Sequence, residues 1–145
     1  MALIHKFLRR NWSDRLLLLE ALAWLCWAKL LLITVPFRWV ARRLGRQMAE
    51  SPTSIAESDR LVVHRVSWAV QAVSIHAPLG FVCLPQAMAA KWMLRRRGLA
   101  STLYLGLRSG ETAGLSAHAW LRSGDRILTG RSESVGHHAI ATFGD

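Results

Sequence analysis

Apolar residues run from Leu16 to Val35 with only Glu20, Lys29 and Thr34 between them. A run that is apolar on all sides predicts a helix in the core or against another subunit, capped at Ser13 or Asp14 and reaching about Thr34. Pro36 ends it and can open a second helix with Phe37, Val40, Ala41 and Leu44 on one face, leaving Arg38, Arg42 and Arg46 elsewhere. Ser51, Pro52, Thr53 and Ser54 mark a loop over Glu50–Ser58. From Asp59 to about Ile75, Leu61, Val62, Trp68, Ala69, Ala72 and Val73 recur at helical spacing, and Pro78 and Gly80 close this third helix.

A further helix follows Phe81-Val82 and stops at Gly98, with Arg95 to Arg97 complementing its dipole, so Cys83 falls at its N-terminus. Beyond Gly98 the period changes to two, since Leu103, Leu105 and Leu107 alternate with Thr102, Tyr104 and Gly106. Arg108 to Gly114 reads as a polar turn, Ala117 to Leu121 as a second strand, Ser123-Gly124-Asp125 as a hairpin turn into Arg126 to Thr129, and Ala139 to Phe143 as a last strand. Helices first and a small antiparallel sheet afterwards make the fold α+β. The loop suggests a helical N-terminal part, 1–55, and a second part, 56–145, within one compact unit, because 145 residues leave little room for two cores.

Composition narrows the setting. Lys and Arg outnumber Asp and Glu by 19 to 9, an excess that favours acidic partners, although a solvated helix face is the commoner use of such clusters. Two cysteines, Cys26 and Cys83, suggest no disulfide framework and fit a reducing cytoplasm. The N-terminal apolar run resembles a secretion signal, but it carries Glu20 and Lys29 and lacks a small-residue cleavage site. Those charges would each cost about 2 to 3.5 kcal/mol at a bilayer centre, so a buried or membrane-surface helix is expected in place of a span.

Chemistry centres on Cys83 and His118. A cysteine at the first turn of a helix faces the positive end of the dipole and unpaired N–H groups, which favour a thiolate nucleophile. His118, on a strand in Ala117-His118-Ala119-Trp120, is of the type that holds a thiol proton and returns it to a leaving amine. Taken singly, each has a plainer reading: a small buried apolar side chain for Cys83, and a half-buried strand histidine bonded to a carbonyl for His118. Trp120 shares the strand face of His118 and is more often core than a shield for the imidazole. No Cys-x-x-Cys, His-Glu-x-x-His, phosphate-cradling Gly-rich loop or Gly-x-Ser-x-Gly occurs, so metal, nucleotide and serine-hydrolase readings find no support.

The segments Phe81-Val82-Cys83-Leu84-Pro85-Gln86-Ala87, Met93 to Thr102 and Ala117-His118-Ala119-Trp120-Leu121 resemble the stand-alone leader peptidases of lasso-peptide biosynthesis. The Arg-flanked apolar helix with Glu20 and the run Val35-Pro36-Phe37-Arg38 resemble the same family. The resemblance implies a papain- or transglutaminase-like cysteine protease core, with Cys83 as nucleophile at a helix N-terminus and His118 as base on the sheet. It implies no cofactor, ATP being used by a partner cyclase. It also implies three partners: the precursor peptide, a separate leader-recognition protein and the lasso cyclase. The N-terminal helices are candidates to dock a partner or a membrane surface.

The family's third catalytic residue is an Asp, and the matching stretch here reads Thr129-Gly130-Arg131-Ser132-Glu133. Asp125 is the nearby aspartate, but it falls at the hairpin tip, and a rise of about 3.3 Å per residue carries it away from His118. The orienting group is therefore open between Asp125, Glu133 and a backbone carbonyl of Thr129 or Gly130. Gln86, one turn into the helix, is a candidate contributor to an oxyanion hole. The alternative from another class is a basic amphipathic membrane-surface or nucleic-acid-binding module without catalysis, drawn from the charge and the Arg helices. The peptidase reading itself involves no nucleic acid.

Overall fold

The computed structural model describes residues 2–77, 79–110, 114–131 and 138–145, with side chains at all of these except 107–110, 114–117 and 138. The helices are α1 (Ala2–Leu8), α2 (Trp12–Thr34), α3 (Phe37–Ala41), α4 (Glu57–His76) and α5 (Cys83–Arg96). The strands are β1 (Arg46–Gln47), β2 (Thr102–Gly110), β3 (Gly114–Ser123), β4 (Arg126–Thr129) and β5 (His138–Gly144). The architecture is a helical layer on an antiparallel sheet, as the change of period at Gly98 predicts, with the strand order β1-β5-β2-β3-β4.

The starts of the helices differ from expectation. The N-cap of α2 is Asn11, not Ser13 or Asp14. Those two side chains accept hydrogen bonds from Arg65 Nη2 of α4, each at 2.9 Å, and so fasten α2 to α4. Helix α3 stops at Ala41, although Val40 and Leu44 stay buried as the apolar pattern requires. Beyond it Arg43 and Leu44 bond back three residues, to Val40 O and Ala41 O, and Gly45 redirects the chain: its φ is +120°, and a Cβ there would lie 2.7 Å from the Gly144 carbonyl oxygen. That close approach lets Arg46 and Gln47 pair with Gly144 and Phe143 as β1, a strand too short to show any period.

One cluster of buried residues takes Ala21 and Leu25 from α2, Val66 from α4, Met88 and Met93 from α5, and Leu103, Leu121 and Phe143 from the sheet. Residues from both sides of the 50–58 loop therefore share a core. Helix α5 runs through its middle, buried from Ala87 to Leu94.

Ion pairs join α5 to the end of β5 and to α2. Lys91, fully buried, donates from Nζ to Ser101 O at 2.8 Å and lies 3.1 Å from Asp145 Oδ2. Burial lowers its pKa from 10.5 to about 8, against the opposing pull of Asp145. Glu20 of α2 accepts from Arg96 and Arg97 at the C-terminus of α5. Burial pushes the Glu20 pKa up, but the two guanidiniums outweigh it and hold the carboxyl below 4.5.

Candidate active site

Cys83 is the first residue of α5 and half-buried. The segment before it extends through Val82, at φ −84° and ψ −171°, so the chain enters the helix by an abrupt turn. Gln86 holds that turn. Its Nε2 donates to Phe81 O at 2.8 Å, and its backbone N–H to Val82 O at 3.3 Å. The amide proposed for an oxyanion hole thus has one N–H committed to positioning the Cys83 turn.

His118 lies on β3, in register with Gly106 of β2. Helix α5 packs against β3, and its middle is tied at Lys91 to Ser101, next to the Thr102 and Arg122 pair. From Lys91 back to Cys83 the helix covers about 12 Å. From Arg122 back to His118 the strand covers about 13 Å. Both lengths run along their own element from the Lys91–Ser101 tie. The pleat sends Ala119, Leu121 and Ser123 towards the helices, where all three are buried, and puts His118 on the other face with Trp120 and Arg122.

That second face was hidden in the sequence behind the alternating leucines. Tyr104 stacks on Trp120 with ring centroids 5.5 Å apart and planes at 10°. Tyr104 Oη donates to Glu50 Oε1 at 2.7 Å and accepts from Arg122 Nε at 2.9 Å. Burial and the bond to Glu50 raise the Tyr104 pKa against the effect of Arg122. Arg122 also donates to Ser51 O at 2.9 Å, so the expected loop over 50–58 lies over this face.

Asp125 is set apart from the pair. It occupies the β3–β4 turn, exposed, with Oδ2 4.0 Å from Arg60 Nη2. The strand from His118 to Ser123 alone spans about 16 Å. On β4 a bulge pairs Leu121 with Thr129 and Arg122 with Ile127, so that Leu128 and Thr129 both face Leu121 and both are buried. Gly130 consequently abuts Ala119 and Trp120, and Thr129 pairs with Leu121, so neither residue stands opposite His118. Glu133 lies outside the described residues, as do residues 111–113 of the expected polar turn. Among the described residues no group of three His, Cys, Asp or Glu side chains could hold a metal ion.

A family model described as the transglutaminase-like superfamily matches residues 31–142, more than three quarters of the chain, with both Cys83 and His118 inside the match. No curated protein and no solved structure matches.

Proposed function

The chain belongs to the transglutaminase-like superfamily, and on that premise we propose that it is a cysteine peptidase removing the leader from a ribosomally made lasso-peptide precursor. Cys83 at the head of the buried helix α5, within the matched region, is the observation that carries the reading. The Cys83 thiolate attacks the carbonyl joining leader to core, and the helix-start N–H groups stabilise the oxyanion. His118 gives its proton to the departing core amine as the carbon–nitrogen bond breaks. Water, deprotonated by His118, then hydrolyses the thioester and releases the leader.

The finer assignment rests on the resemblance around Cys83, Met93 to Thr102 and His118. The leader is presented by a separate recognition protein, and the core passes to the cyclase.

The test mixes purified chain, precursor peptide and recognition protein and follows cleavage by mass spectrometry. Wild type is expected to cut at the leader–core junction, with Cys83→Ala and His118→Ala inactive. Cleavage by both variants at the wild-type rate would end the peptidase reading. Cleavage elsewhere in the peptide would end the leader assignment alone.

A further inference from the structure

Helix α2 is packed on one side only. Leu17, Ala21, Leu25 and Ala28 are buried against the rest of the molecule. On the opposite side Trp12, Leu16, Leu19, Trp27, Leu30 and Ile33 are exposed, between 47% and 72% each. They form a stripe about 30 Å long at the helical rise. Every charge on the helix is turned out of this stripe. Asp14 pairs with Arg65 and Glu20 with Arg96 and Arg97. Arg15 donates to the carbonyls of Leu8 and Arg10, and Lys29 to that of Leu79.

The ends of the stripe are cationic. Arg9 precedes it and Arg38 and Arg42 follow, all exposed and in no ion pair among the described residues. Exposed Trp12 and Trp39 stand beside them.

We propose that this face of α2 lies flat on an anionic lipid surface, a property independent of the peptidase reading. The apolar stripe enters the acyl boundary while Arg9, Arg38 and Arg42 meet the headgroups, where tryptophan is also favoured. The helix is long and apolar enough to cross a bilayer. Spanning, however, would strip Leu17, Ala21 and Leu25 from the core and separate Glu20 from its guanidiniums. A second copy packed antiparallel on the stripe would set Arg9 against Arg38 and Arg42, like charges facing each other. Anionic lipid complements both ends at once.

Co-sedimentation of the full chain with vesicles of equal parts phosphatidylcholine and phosphatidylglycerol tests the proposal. Binding is expected there, weaker by about tenfold or more on phosphatidylcholine alone, and weaker with added salt. The Leu19→Glu/Leu30→Glu double variant is expected to lose about tenfold or more. Exposed Cys26 lies within the stripe, so an environment-sensitive dye on it, in a Cys83→Ala background, reads the same face directly. Its emission shifts to the blue on anionic vesicles. Absence of vesicle binding, binding unchanged by the double variant, or a dye that does not shift would each overturn the proposal. A concentration-dependent dimer that the double variant dissolves, without vesicle binding, would assign the face to a second copy.

Discussion

The Lys91 ammonium is fully buried and lies 3.1 Å from the Asp145 carboxylate, joining the middle of α5 to the residue that follows β5. Asp145 also accepts from Arg95 at 2.7 Å. A buried charge tolerates removal of itself better than removal of its partner. Asp145→Ala is expected to cost about 3 kcal/mol or more, and Lys91→Met about 1 kcal/mol or less, since methionine nearly keeps the volume and discards the charge. Urea midpoints of the two variants, compared with wild type, measure the order.

The same lysine gives stability a dependence on alkaline pH. Its folded pKa of about 8 lies below the ordinary 10.5. Between these values the unfolded chain binds more protons than the folded one, so this group makes stability rise with pH there. Wild type is expected to show that rise relative to Lys91→Met in urea titrations across the alkaline range.

Glu20 acts on the acid side with the opposite sign. Its folded pKa is held below 4.5 by Arg97 and Arg96 in spite of burial. Its contribution is present above 4.5 and lost as pH falls through the folded pKa. Glu20→Gln is expected to be less stable near neutrality and to lose less on acidification. Thermal melts at stepped pH read both effects.

Gly130 and Gly98 separate backbone strain from crowding. Both have positive φ, +69° and +72°. A Cβ at Gly130 would lie 2.5 Å from Ala119 O and 2.9 Å from Trp120 Cβ, whereas one at Gly98 meets nothing within 4 Å. Gly98→Ala is expected to cost about 1 kcal/mol, and Gly130→Ala about 2 kcal/mol more because the bulged end of β4 must move. Melting temperatures of the two alanine variants give the comparison.

Gln86 is expected to act on cleavage through the turn it holds. Gln86→Ala removes the bond to Phe81 O, costs about 1 kcal/mol of stability, and lowers kcat for leader cleavage with little change in KM. An unchanged kcat would leave Gln86 a structural residue.

Much of this was legible because it is local. The apolar run that becomes α2, the Gly98 stop and the alternating leucines of β2 each carry their signal within a few residues. Cys83 at a helix start could be read for the same reason. What escaped depends on distant partners. β1 exists because Gly45 meets Gly144, and α1, which buries no residue, lines an open cavity of about 580 Å³ together with Leu18 of α2 and Trp68 of α4. The residue opposite His118 depends on a bulge at Leu128, a one-residue shift that no periodicity announces.

The strand order has a kinetic side. β5 sits between β1 and β2 although it is the last strand in the chain. During synthesis β2, β3 and β4 can form a meander early, but the edge of β2 stays open and β1 has no mate until residues 138–144 emerge. The loop to be closed, from Arg46 to Gly144, is nearly as long as the matched family region, and closing so distant a pair is slow. For that interval the nascent chain carries an unsealed sheet edge and the bare stripe of α2, which makes it most in need of a chaperone or a nearby surface just before its last strand arrives.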